Sequence, residues 1–384
     1  MSQFAIASFL CWRLWLFFLA GFGGRNFTFS PRFPYSDILL VSSKLPDWIW
    51  SFANFDGVHY LTIANLGYSA QYTQVFFPFY PLLIAFFSKL LPFLNPLIIA
   101  LFLSNIIFLF MIIILQKLLE LDYKKKSIRK MIIFLLVFPT SFFFGSVYTE
   151  SLFLFLVISA FYAARKKQWI LAGVLGALAS ATRLVGIFLL PALFWEWCIN
   201  RFKDQKLNKI LFSISHFRFS PIVYLVPLGL ISYMLYLQFQ FGDWLYFWHA
   251  QPVFGAERSG NSIVFLPQVL WRYAKILTSF PLTMEIFWIP FLELVFTLGA
   301  IICLIYAHIK KVRLSYLIFS WFAVIIPTLT GTLSSMPRYV LCAFPIFIIL
   351  GLIENKFYKI LLFFISLCIL SVLTILFTRG HWVS

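Results

Sequence analysis

Acidic residues are scarce in this chain, 13 among 384 positions, so each one outside an apolar run is a candidate for chemistry. Asp56 is the first. It sits in Asn54-Phe55-Asp56-Gly57-Val58-His59-Tyr60-Leu61-Thr62. A carboxylate among aromatic residues can have its pKa tuned, and the following glycine permits close approach of backbone. Such a carboxylate can act as a general base. Asp before Gly-Val-His-Tyr-Leu is also a good helix start, and the two roles are compatible. His59 would share a helical face with Asp56. It can bind a phosphate, orient the acid or hold a structural hydrogen bond. Glu150 ends the turn Gly145-Ser146-Val147-Tyr148-Thr149-Glu150, and Arg183 ends Ala181-Thr182-Arg183. Asp243 and His249 lie in a later polar stretch.

The elements that position these residues must be membrane helices. Hydrophobic residues make up 62% of the chain, charged residues 11%, and there are 50 Phe; mean hydropathy is +0.93. Soluble domains carry about 25% charged residues, and disorder needs low hydrophobicity. The chain reads as one all-α, polytopic integral membrane domain over residues 1–384. The net charge of +17 could suggest nucleic acid. The basic residues instead form short clusters between apolar runs: Lys124–Lys130, Arg165–Lys167, Arg201–Lys209 and Lys310–Arg313. That is the positive-inside signature of cytoplasmic loops, and nucleic-acid binding is excluded on that ground. Cys11, Cys198, Cys303, Cys342 and Cys368 are odd in number and form no CxxC pair, so they read as small core residues. The stretch Phe4 to Gly24 lacks a small-x-small cleavage site and reads as a retained first helix.

A crossing takes about 20 apolar residues. Candidate spans are 4–22, 96–119, 131–147, 150–164, 169–182, 184–200, 220–240, 286–309, 314–334, 339–353 and 358–377. The stretch 75–92 is apolar too, but counting it would invert every later basic loop. It is therefore expected at the outer interface. This gives about eleven crossings, with the N-terminus inside and outer segments at 23–95 and 241–285. The two hairpins between Lys130 and Arg165 and between Lys167 and Arg201 are too short for two full spans each. Their outer turns, which carry Glu150 and Arg183, are expected below the outer surface around a wet cavity.

These residues carry a resemblance. Asp56-Gly57-x-His59-Tyr60, then Gly67-Tyr68, then Phe76-Phe77-Pro78-Phe79-Tyr80-Pro81, resembles the PIG-V family of mannosyltransferases. Later blocks follow in family order: Pro139…Tyr148-Thr149-Glu150-Ser151-Leu152-Phe153, Thr182-Arg183-x-x-Gly186, Gly242-Asp243…Ala250-Gln251, and Pro337-Arg338-Tyr339…Phe344-Pro345. Each block is short, and together they cover most of the chain. Phe55 departs from the pattern, since many relatives carry Trp there.

The resemblance implies the GT-C architecture, with short outer-interface helices in the first outer loop. It implies an active site facing the outside or lumen, and inverting transfer of a sugar, usually mannose, from a polyprenyl-phosphate donor. Asp56 would take the acceptor's proton. The leaving phosphate would need positive charge, and guanidinium geometry nominates Arg183 and Arg338. Arg183 is equally a partner for Glu150, and Arg338 equally an interfacial anchor. Glu150 would be a second acid, a sugar ligand or a structural residue. Tyr60, Tyr80 and Tyr148 would face sugar or prenyl chain. Asp243 and His249 would meet the acceptor, whether lipid, glycan or protein. Glu257-Arg258 reads as a solvated pair, and Asp37 and Asp47 as turn or cap residues, either of which could be a second carboxylate. Glu293 has no role in this scheme beyond pairing near the outer end of its span. No cofactor is implied, and no metal requirement is predicted. The membrane would be the plasma membrane in a prokaryote and the endoplasmic reticulum in a eukaryote. Rival readings are a transporter or lipid flippase, with Glu293 and Arg13 inside spans in its favour, a non-catalytic subunit, and a transferase of another lipid-linked sugar.

Overall fold

In a computed structural model, residues 2–31, 33–201, 221–254, 258–259 and 262–383 are described. Glu257, Ser220 and the basic residues between 202 and 220 lie outside them. The described residues form helices and turns and no strand; one isolated bridge joins Val264 to Thr330. Among the described residues five helices are long and apolar enough to cross a membrane: Gln3–Asn26, Pro96–Leu119, Leu184–Arg201, Ile286–Ile309 and Lys356–Thr378.

Several other stretches expected as continuous spans are broken. The stretch 131–147 is a helix only to Leu136, followed by a 3-10 turn over Ser141–Gly145. Pro139 removes a donor from the helical ladder there. The stretch 220–240 divides into Pro221–Leu225 and Leu228–Phe241, with Pro227 at the junction. The stretch 339–353 divides into the end of Met336–Tyr339, a 3-10 turn over Val340–Cys342, and Pro345–Gly351. Helices Glu150–Arg165, Trp169–Ser180 and Leu314–Thr328 are shorter than a full crossing. The segment 75–92 contains helix Phe79–Leu90, whose 12 residues rise only about 18 Å, too little to span the hydrocarbon core.

Helix Glu150–Arg165 is the centre of the bundle. It is buried on almost every side, as a helix apolar all round must be, and it packs between Pro96–Leu119 and Trp169–Ser180. Small residues set the next contact. A Cβ on Gly229 would lie 1.9 Å from the Ala177 carbonyl oxygen, and one on Gly176 would lie 2.7 Å from Val226. These glycines let two helix backbones meet, the usual device of membrane bundles. The basic loop ends also carry tertiary structure. Arg165 donates to both Asp122 oxygens at 2.6 and 2.8 Å, and Arg313 Nε donates to the fully buried Glu196 at 2.8 Å.

Residues 137–149 bury every side chain but Val137's. The non-helical backbone before Glu150 is therefore enclosed by protein, as backbone at membrane depth must be. Short helices Ser36–Leu39, Asp47–Trp50 and Asp56–Leu66 precede Phe79–Leu90 in the first long connection.

Candidate active site

Asp56 is held by backbone geometry. The preceding Phe55 has φ 58°, a conformation costly for a bulky residue and one that persists only where the surroundings enforce it. Its ring is clamped by Phe33, Phe377 and Trp382, with centroids 4.5, 5.8 and 5.1 Å away. Asn54 Nδ2 donates to the Phe377 carbonyl at 2.8 Å, and Val147 N donates to the Phe52 carbonyl at 2.9 Å. Tyr148 Oη accepts from Asp56 N at 3.3 Å and donates to the Asn54 carbonyl at 3.0 Å. The start of helix Asp56–Leu66 is thus pinned from two sides. Gly57 lies against Val147, where a Cβ would meet the carbonyl oxygen at 3.3 Å.

Asp56 opens onto a cavity of about 680 Å³. Glu150 and Arg183, from the turns of the two short hairpins, line the same cavity, as do Arg338, His59 and Tyr60. The charged groups form a chain. Arg338 Nη1 donates to Asp56 Oδ2, and its Nε lies 3.4 Å from Glu150 Oε1. Arg183 Nη1 donates to the same Glu150 oxygen at 3.0 Å. Glu150 is 1% exposed and Arg338 8%. Charges this deep must be paired, and here two carboxylates alternate with two guanidinium groups. Gly186 explains its own motif: a Cβ there would lie 2.4 Å from the backbone of Ala179, so only glycine lets the Arg183 turn fold back on its helix.

Arg258 is the residue that sequence reasoning missed. It is no solvated surface residue. It lines the cavity, donates from Nη1 to Gln251 Oε1 at 2.8 Å and from Nη2 to Tyr339 Oη at 3.2 Å. Its neighbour Glu257 lies outside the described residues. Tyr339 sits among three cations, with Arg183 4.9 Å and Arg338 5.4 Å from its ring centroid. Arg258 Nη2 donates to its hydroxyl. The cavity carries a surplus of positive potential.

The remaining candidates divide. His59 stacks on Phe76, 5.1 Å between centroids, and burial lowers its pKa against the opposing pull of Asp56. Tyr60 packs edge-on to Phe76 and Tyr80. Tyr80 and Tyr148 do not line the cavity. The Tyr80 hydroxyl meets Ser104 Oγ at 2.7 Å, and Tyr148 holds the backbone around Asp56, so both are placed as supports. Asp243 and His249 also stay outside it. His249 Nδ1 meets Asp243 Oδ2 at 2.7 Å, and Leu245 N donates to Asp243 Oδ1 at 2.9 Å. Burial is the largest single influence and opposes ionisation of Asp243, but the bonds from His249 and Leu245, with the His249 charge, together outweigh it and lower the pKa. The pair shapes the turn that brings Trp248 and Gln251 to the cavity. Asp47 pairs with Arg379 at 3.2 Å and Asp37 sits in the first turn of Ser36–Leu39. Neither supplies a second carboxylate to Asp56. Among the described residues no group of three or more His, Cys, Asp or Glu is placed to hold a metal.

A family model described as Mannosyltransferase (PIG-V) matches residues 25–254. No curated protein matches the chain. The match takes in Asp56, Glu150, Arg183 and Gln251, which meet at one cavity, and with it this apolar, all-helical glycosyltransferase belongs to the PIG-V mannosyltransferase family.

Proposed function

We propose that this cavity transfers mannose from a polyprenyl-phosphate donor to an acceptor hydroxyl, with inversion, on the extracytoplasmic side of the membrane. In this reading the chain crosses about eleven times, with basic loops inside, and takes the GT-C architecture. One observation carries it: Asp56 shares a cavity with three guanidinium groups and one further carboxylate. Two negative and three positive side chains leave the lining at +1. A sugar phosphodiester carries −1, so donor and lining are complementary.

The step follows from that placement. The acceptor oxygen attacks the anomeric carbon and loses its proton to the Asp56 carboxylate. The bond from that carbon to the phosphate oxygen breaks, and its electron pair leaves as polyprenyl phosphate. A phosphate needs cations as it leaves and no acid. Arg338 orients Asp56. Arg258, whose described partners Gln251 and Tyr339 carry no formal charge at neutral pH, is the best placed to meet the phosphate. Leu184, Val185, Ala323, Ile326 and Pro327 form an apolar wall of the same cavity, which suits the prenyl chain. The acceptor is a lipid, glycan or protein hydroxyl.

The test is transfer of label from polyprenyl-phosphate-mannose to a membrane extract by the purified protein. Arg258→Gln is expected to raise the donor KM about tenfold to a hundredfold, the worth of a charge-assisted hydrogen bond. An unchanged donor KM would remove Arg258 from phosphate recognition. Transfer is expected to survive EDTA; its loss, restored by a divalent ion, would require a metal that the described side chains do not explain.

A further inference from the structure

The transfer scheme leaves one buried acid unused. Glu293 lies inside helix Glu285–Ile309 and is 4% exposed. An ionisable residue at that depth calls for a function and a partner. Its partner is Tyr273, 5% exposed, from the outer helix Leu266–Ser279. Tyr273 Oη donates to Glu293 Oε2 at 2.5 Å. Burial, and then the Glu293 carboxylate, raise the Tyr273 phenol, so it remains a donor.

The Tyr273 hydroxyl, anchored on Glu293, also holds a third element. Tyr273 Oη accepts from Leu333 N at 2.9 Å and meets Thr332 Oγ1 at 3.2 Å. Met336 N donates to the Leu333 carbonyl at 3.0 Å, closing the turn around Ser335. Ser335 has φ 67°, a left-handed conformation that a non-glycine residue keeps only when its surroundings impose it. It then starts the short helix Met336–Tyr339, where Arg338 N and Tyr339 N both donate to the Ser335 carbonyl, at 3.0 and 2.9 Å. The geometry of Ser335 therefore fixes where Arg338 points, and Arg338 meets Asp56. Further bonds tie this connector to the same outer segment: Val264 N to the Leu329 carbonyl at 3.0 Å and Arg272 Nη1 to the Gly331 carbonyl at 3.3 Å.

We propose that Tyr273, held by Glu293, latches the Thr332–Leu333 backbone that leads into the left-handed turn at Ser335 and so sets Arg338 against Asp56. Both are positioning residues for the transfer. The latch rests on the reading of Asp56 and Arg338 as parts of the transfer site. It also links the outer helix, whose Trp271 and neighbouring Phe265 and Ile263 are exposed, to the reacting carboxylate. A shift of that helix would reach Arg338 through two hydrogen bonds.

The test uses Tyr273→Phe and Glu293→Gln in the full-length protein, with two readouts. Amide exchange of peptides covering 330–340 reads the latch. Labelled-sugar transfer reads its consequence. Tyr273→Phe removes only a hydroxyl, and unchanged thermal unfolding shows that the fold is intact. Exchange in 330–340 is expected to rise about tenfold or more. The kcat is expected to fall about tenfold to a hundredfold with donor KM nearly constant, the signature of a misplaced group and not of lost binding. Unchanged exchange would overturn the latch whatever happens to transfer. Faster exchange with unchanged kcat would overturn the positioning role, because the connector would then be held without mattering to the reaction. In Asp56→Asn, exchange at 330–340 should stay near wild type while transfer falls, so a failure of the base assignment reads differently from a failure of the latch.

Discussion

Asp56→Asn is expected to lower transfer by about a hundredfold to ten-thousandfold, the range for a removed general base. The substitution keeps the shape of the side chain and one oxygen that can accept from Arg338. The elements that pin the position do not depend on the carboxylate. Phe55 is held by three rings, and Tyr148 bonds the Asp56 backbone. The variant should therefore fold, and its thermal unfolding should stay close to wild type. Donor KM should stay level or fall, because the lining gains one positive charge. Purified protein, labelled polyprenyl-phosphate-mannose and a membrane extract suffice for the measurement. A fall in kcat with intact fold and donor binding supports Asp56 as base. Equal transfer by both proteins would move the search for the base to Glu150, the other carboxylate among the described lining residues.

Much of this site is legible in the sequence because charge is rare in it. With 11% charged residues, any acid or arginine in a turn is conspicuous, and helix spacing places Asp56, Glu150 and Arg183 at the same end of the bundle. What is not legible is how each residue is used. Tyr148 and Tyr80 read as possible ligands from their place in the motif blocks, although aromatic residues are common at membrane interfaces without binding anything. Their hydroxyls instead go to backbone and to Ser104, a choice made by contacts between residues far apart in the chain. Arg258 looks like a surface residue because it follows Glu257. Its role depends on Gln251 and Tyr339, and Tyr339 lies 81 positions away. The continuity of the helices is hidden for the same reason. Hydropathy sees 131–147 as one apolar run, whereas Pro139 and the packing of Phe142, Phe143 and Phe144 turn half of it into buried irregular chain. Glu293 is the converse case. Its depth marks it as unusual, but its partner comes from a helix that sequence assigns only to a loop.

Glu150 is expected to be the costliest single position for the fold. One of its oxygens serves both Arg183 and Arg338. Glu150→Ala leaves Arg183 without its carboxylate and Arg338 with only Asp56. Breaking a buried pair by removing one partner costs about 3–5 kcal/mol, because the stranded charge remains desolvated. Thermal unfolding in detergent, or the fraction surviving mild heating, reads this. The same position separates two uses of Arg183. In the double variant Glu150→Gln with Arg183→Met, the stranded cation is gone and Arg338 keeps Asp56. Stability is then expected to recover to within about 1–2 kcal/mol of wild type, since a buried pair can be replaced by packed groups at little net cost. Transfer decides the rest. If Arg183 serves only to neutralise Glu150, the double variant recovers activity along with stability. If Arg183 also meets the donor phosphate, the double variant is stable and its donor KM stays raised about tenfold or more. The second outcome is expected, because Arg183 lines the cavity beside Tyr339 and Arg338 and a leaving phosphate draws on every guanidinium within reach.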